Sequence, residues 1–319
     1  MPGSRKSYNR RKRLAKEDCK RSKTAVRANS STRAEISVDV DHPPSYEEVA
    51  SLSTLSEVQL FIKYIREHAP TEQNEGLERA KRGLIIRGVD LIFGFKPRPF
   101  QVEVIFGIIF DRVDCLVTAK TSAGKSLPMQ AVSLLVQDSI TIVIIPLSKI
   151  GSEQTEKISR LKTESTCQAR PVFVDSTTKK VDPFMFRKIQ QGEYTHVFLS
   201  PEQAIGEGFS DVVRDPNFKE RVVLVAIDEC HLVAKWGADF RTSYAQLGLL
   251  RLRLGRAGAS PWLAASATMS AESMAALKNT FGEGPSGTVS RRDTVMDLIH
   301  VTCSLGGCNT IKSACSSTV

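Results

Sequence analysis

The segment Thr118-Ala119-Lys120-Thr121-Ser122-Ala123-Gly124-Lys125-Ser126 sets a glycine, a lysine and a hydroxyl side by side. That combination suits a chain of phosphates. Backbone N–H groups of a tight turn running into a helix N-terminus point at phosphate oxygens, where negative charge is favoured. Lys125 would neutralise the β- and γ-phosphates, Ser126 would ligate Mg²⁺, and Thr121, Ser122, Ala123 and Gly124 would form the cradle. Ala119 stands where the strict GxxxxGK[ST] pattern has its leading glycine. A second cluster, Asp228-Glu229-Cys230-His231, follows the apolar run Val222–Ile227. Adjacent carboxylates at the end of a buried strand are costly to leave unpaired. Beside a phosphate site they acquire a use: Asp228 would hold Mg²⁺, mostly through water, and Glu229 would orient and deprotonate an attacking water.

Both clusters need strands to carry them. Continuous Val, Ile and Leu runs predict buried strands at Asp114–Ala119, Ile140–Pro146, Pro171–Val174, His196–Leu199, Val222–Ile227 and Trp262–Ala265. Amphipathic stretches between them, such as Ser126–Val136, Ile150–Leu161, Pro183–Gln190, Tyr244–Leu254 and Ala271–Phe281, predict helices. The expected class is α/β, with a mainly parallel central sheet and helices on both faces. Four regions follow: a disordered basic arm (1–46), a helical extension (47–87), a nucleotide-binding lobe (88–283), and an irregular tail (284–319) with one strand-like piece at Val295–Val301.

The net charge of +9 belongs to the arm. Residues 1–34 hold twelve Lys or Arg and two acids, so the remaining 285 residues carry a net −1. Such an arm cannot bury enough surface to fold. It is a nuclear-import signal centred on Arg10-Arg11-Lys12-Arg13, a phosphate-binding DNA arm, or an inert solvated tail. Pro43-Pro44-Ser45-Tyr46 matches a WW-domain ligand pattern, against a linker reading that four-residue motifs favour. Seven scattered cysteines without a CxxC pair argue for a reducing compartment and against structural zinc. No apolar run reaches the roughly 18 residues a membrane helix needs, and no secretory signal is read at the N-terminus. The expectation is a soluble, intracellular and nuclear protein.

Asp228-Glu229-Cys230-His231, followed by Trp236-Gly237-Ala238-Asp239-Phe240-Arg241, Tyr244-Ala245-Gln246-Leu247-Gly248 and Leu250-Arg251, resembles the RecQ family of ATP-dependent DNA helicases. The Trp236–Arg241 string resembles that family's aromatic-rich loop, which couples DNA binding to ATP hydrolysis. Phe93-Gly94-Phe95 and Arg98-Pro99-Phe100-Gln101 resemble its adenine-reading motif, one residue shorter than usual and with Phe100 in place of a common glycine. Gln101 could read the N6 and N7 edge of adenine, with Arg98 beside it. Pro146-Leu147-Ser148 and Ser200-Pro201-Glu202 resemble motifs Ia and Ib, at strand ends where a DNA backbone could be met. Ser266-Ala267-Thr268 resembles motif III, which links the two sites. The resemblance covers residues 88–281.

It implies a RecA-like P-loop lobe that uses ATP and Mg²⁺ and acts on single-stranded or forked DNA in the 3′–5′ direction, in repair or recombination. It also implies that His231, Trp236, Asp239, Phe240, Arg241, Ser266 and Thr268 couple ATP to DNA. The residues after Phe281 are too few for a second lobe of roughly 100–200 residues. The chain is therefore expected to hold the first lobe only, and to be weak or inactive alone. An alternative is a non-catalytic ATP- and DNA-binding regulator or fragment; a P-loop kinase or GTPase is disfavoured by Gln101 and the Trp236–Arg241 string. A partner chain bringing the second lobe is left open.

Overall fold

The computed structural model of the chain describes residues 42–68, 74–146, 148–161, 168–232, 246–255, 260–282, 299–304 and 307–312. The basic arm and the Trp236–Arg241 string lie outside them. The apolar runs form β1 (Cys115–Ala119), β2 (Ile140–Ile144), β3 (Pro171–Val174), β4 (His196–Leu199), β5 (Val222–Ile227) and β6 (Trp262–Ser266). All six run parallel in the order β3-β4-β2-β5-β6-β1. Strand side chains alternate between faces. Val117, Val143, Leu224, Ala226 and Leu263 enter one core, while Leu116, Ile142, Ile144, Val225 and Ile227 enter another on the opposite face. Two buried faces account for strands without polar alternation.

Helices α1 (Tyr46–Ser51), α2 (Leu55–Glu67) and α3 (Glu75–Phe93) precede the sheet. Ser45 and Thr54 open the first two as capping boxes with Glu48 and Glu57. Pro44 is buried and Tyr46 lies in helix, under the Arg79 guanidinium at 4.1 Å, so the Pro-Pro-x-Tyr segment serves as a helix entry. The boundary expected at 87/88 falls inside α3. Gly88 does not break the helix; it lets α3 approach α5 (Leu127–Leu135), since a Cβ there would stand 2.3 Å from Leu135 Cδ2. Gln59 of α2 also donates to the Leu134 carbonyl at 2.7 Å, satisfying an end of α5.

The remaining helices are α4 (Pro99–Phe106), continued by a π-helical turn over Gly107–Asp111, then α6 (Ser148–Ser159), α7 (Ser176–Val181), α8 (Met185–Gln190), α9 (Pro201–Ile205), α10 (Glu207–Val212), α11 (Pro216–Arg221), α12 (Leu247–Leu254) and α13 (Ala271–Gly282). The tail is not wholly irregular. Ile299–Ser304 forms β7, parallel to β1, and Gly307–Lys312 forms β8, antiparallel to β7. The described strand, Ile299–Ser304, overlaps the end of the stretch Val295–Val301 expected from the sequence.

His196 opens β4 fully buried. Its Nε2 lies 2.9 Å from the Gln130 carbonyl, which can only accept, so Nε2 carries the proton. Nδ1 then accepts from the Thr195 hydroxyl at 2.9 Å. Burial pushes this imidazole down to about 4 from 6.5. The unfolded chain therefore takes up a proton that the fold refuses, and stability present above pH 6.5 is lost as pH falls toward 4. We expect a loss of about 3 kcal/mol across that window in denaturant titrations, about 1.4 per unit. His196→Gln should flatten the slope; an unchanged slope would remove His196 as its source.

Candidate ATP site

The candidate phosphate-binding segment follows β1 directly. Lys120 leads into a 3₁₀ turn over Thr121–Ala123, Gly124 takes φ +85°, and α5 begins after Ser126. Gly124 is required twice over. An L side chain is strained at that φ, and its Cβ would meet Gln101 Nε2 at 2.5 Å. Lys125 is buried, and its Nζ donates to the Lys120 carbonyl at 3.3 Å. A groove of about 520 Å³ is lined by Lys120, Thr121, Ser122, Ala267 and Thr268.

Gln101 sits in α4, buried against this turn. Its Oε1 accepts the Arg98 N–H at 2.7 Å and its Nε2 donates to the Gly124 carbonyl at 2.8 Å. The glutamine thus ties α4 to the Gly124 turn, a link that spacing alone does not disclose. One amide hydrogen and one oxygen lone pair remain for a ligand. Arg98 is exposed at the start of α4, as are Gly94 and Phe95 just before it.

Two strands away, Asp228 and Glu229 directly follow β5. The turn is pinned on both sides, the Asp228 N–H donating to Ile144 of β2 and the Cys230 N–H to Ala265 of β6, each at 3.0 Å. Glu229 has φ +51°, a left-handed conformation costly for a non-glycine residue. It is held there by those flanking bonds and aims its carboxylate at His231. Burial, then the neighbouring Glu229 carboxylate, raises the Asp228 carboxyl above its ordinary value, with Lys125 opposing. That is the electrostatics of a site short of positive charge, and Mg²⁺ fits it. Among the described residues no group of three or more His, Cys, Asp or Glu could hold a metal alone. Mg²⁺ is commonly held by one or two carboxylates, waters and the substrate's own phosphates, which matches the donors Asp228 and Ser126.

His231 Nδ1 lies 3.2 Å from Glu229 Oε2 and 2.9 Å from Ser266 Oγ. The Ser266 hydroxyl donates to the Thr268 carbonyl at 2.7 Å. Its one hydrogen is thereby used, so Oγ must accept from His231, and the Nδ1–H points at both Glu229 and Ser266. A continuous chain runs Glu229–His231–Ser266–Thr268, from the carboxylate pair to the rim of the groove. The structure therefore brings Gln101, Thr121 to Ser126, Asp228, Glu229, His231, Ser266 and Thr268 to one edge of the sheet. Trp236, Asp239, Phe240 and Arg241 lie outside the described residues. Sequence reasoning assigned no role to Lys120 and Ala267, both of which line the groove. Lys120's place straight after a buried strand was the available signal.

The chain matches the DEAD/DEAH box helicase family over residues 98–277. It is similar to the ATP-dependent DNA helicase RecQ of Synechocystis sp., with 28% identity over 178 residues, covering 56% of this chain and 36% of that protein. It is similar to the ATP-dependent DNA helicase Q-like SIM of Arabidopsis thaliana, with 35% identity over 154 residues, covering 48% of this chain and 17% of that protein. It is also similar to the ATP-dependent DNA helicase Q5 of Rattus norvegicus, with 29% identity over 179 residues, covering 56% and 18%. The matched stretch spans little more than a third of the first of these relatives and under a fifth of the other two.

Proposed function

Since the chain belongs to the DEAD/DEAH box helicases, we propose that it is the ATP-binding lobe of a RecQ-type 3′–5′ DNA helicase, coupling ATP hydrolysis to DNA binding. The supporting observation is the convergence of the Gly124–Ser126 turn, the Asp228–Glu229 pair and the His231–Ser266–Thr268 chain on one sheet edge. In this reading Lys125 leaves the Lys120 carbonyl for the β- and γ-phosphates, and the N–H groups of the turn and of α5 hold their oxygens. Gln101 keeps one donor and one acceptor for the adenine edge. Ser126 and Asp228 would hold Mg²⁺, which would supply positive charge beside the phosphates. Glu229 takes the proton of the attacking water, and His231 reports its state to Ser266 and the groove rim.

DNA, single-stranded or forked, meets the lobe at the ends of β2 and β4, near Pro146 and Ser200. The basic arm is proposed to supply nuclear import or added phosphate contacts, and the resemblance to RecQ helicases supports a proposed role in DNA repair or recombination. No described helix is long and apolar enough to cross a membrane. Taken by themselves, the 319 residues are proposed to turn ATP over slowly and to leave duplexes intact, because the described site has one wall. Thr121, Ser122 and Thr268 are exposed along it.

The test is ATP turnover by the full chain with and without single-stranded DNA. Turnover that rises with DNA supports the enzyme. ATP and DNA binding without turnover would support the non-catalytic regulator instead.

A further inference from the structure

Residues 176–188 carry Lys179, Lys180, Arg187 and Lys188 against one acid, Asp182. This cluster sits in a stretch, residues 35–319, whose bases and acids nearly balance. Asp182 already accepts from Lys188 Nζ at 2.6 Å. The other three cations are exposed, and among them two apolar side chains stand far into solvent: Val181 is 82% exposed and Phe184 64%. Helix α7 buries none of its residues. Lys179 Nζ also lies 5.1 Å from the centre of the Phe186 ring, and an exposed ring beside exposed cations is a combination that marks an interaction surface.

Its position says what it meets. Asp175 caps α7 directly at the C-terminal end of β3. Because β3, β4, β2 and β5 are parallel, α7 starts from the sheet edge that carries Ser200, Pro146 and Asp228. We propose that Lys179, Lys180 and Arg187 contact the phosphates of single-stranded DNA and that Phe184 stacks on one of its bases. This rests on the DNA-binding reading above and extends the strand's path beyond β4 to β3. Nucleic acid is favoured over an acidic peptide because cations for a backbone and an exposed ring for a base are the pair that single strands use, and the helix that carries Lys179 and Lys180 starts from the edge proposed to meet DNA.

The experiment uses the full chain and a labelled short oligothymidylate, read by fluorescence anisotropy across a salt series. Replacing Lys179, Lys180 and Arg187 together by Ala should flatten the log–log salt slope by about 2, roughly 0.7 per cation on single strands. Phe184→Ala should weaken binding by about fivefold to a hundredfold. Melting temperature and affinity for an ATP analogue should stay as in the wild type, which separates a lost contact from a lost fold. If the variants bind with wild-type affinity and slope, the proposal is overturned while the DNA reading stands. If the wild type itself does not bind the oligonucleotide, the DNA reading falls first. Loss of binding to an acidic, aromatic peptide with DNA binding intact would make the surface a protein site and overturn the proposal too.

Discussion

Glu229→Gln should lower DNA-stimulated ATP turnover by about 10²–10⁴-fold while leaving nucleotide affinity near the wild-type level. That is the range a positioned general base contributes. The amide keeps the size of the carboxylate and can still accept from His231 Nδ1 through its oxygen, so the turn between Ile144 and Ala265 has no reason to rearrange. What it loses is the ability to take a proton from water. Phosphate binding at Lys125 and the Gly124 turn does not depend on that ability. Single-turnover hydrolysis with saturating ATP, measured beside analogue binding, separates the two effects. A variant that hydrolyses at the wild-type rate would move the base to another residue, and one that no longer binds nucleotide would make Glu229 a positioning group.

The second large effect comes from the open side of the site. Phosphoryl transfer is stabilised where charge develops, by donors on all sides of a water-excluded pocket. In the proposed reading Lys125 and the N–H groups of the turn would supply one side, and the groove beside Thr121, Ser122 and Thr268 is lined by exposed residues. Adding a separate RecA-like lobe that carries an arginine on its facing surface should raise turnover toward the ~10³–10⁵-fold that such an arginine contributes. Strand separation on a duplex with a 3′ overhang should appear only in that mixture, since translocation needs two grips that alternate as a cleft closes and opens. Strand separation by the 319 residues alone, abolished by Lys125→Ala, would contradict this.

Much of the scaffold could be read from residue types because of where it is buried. Strands covered on both faces, such as Val222–Ile227 and Ile140–Ile144, are uninterrupted β-branched and aliphatic runs, and both carboxylates follow at the end of one of them. Helix α4 escaped notice for the same reason. Pro99–Phe106 is buried nearly all round, so it shows no amphipathic period. The β7–β8 pair was obscured by Ser, Thr, Gly and Cys, whose place in a ladder is settled by the neighbouring β1 edge. Within the site, the types and order of Lys125, Ser126, Asp228 and Glu229 state their chemistry. The bond from Gln101 to Gly124, and the proton on His231 Nδ1, depend on atoms brought together from 23 and 35 residues apart. The left-handed Glu229 likewise has no signature in composition, because flanking strands impose it.

The proposed role of the Gly124–Ser126 turn is to hold the phosphates of ATP. Its most direct test is a titration of a fluorescent ATP analogue, with Mg²⁺, into the full chain and into Lys125→Ala. Lys125 is buried with its ammonium on a single carbonyl, so a bound phosphate would become its main partner. Removing one member of a buried charge pair costs about 2–5 kcal/mol, so affinity should fall by at least about thirtyfold. Circular dichroism should report the same fold in both proteins. Equal affinity in the two would contradict the assignment of this turn as the phosphate site.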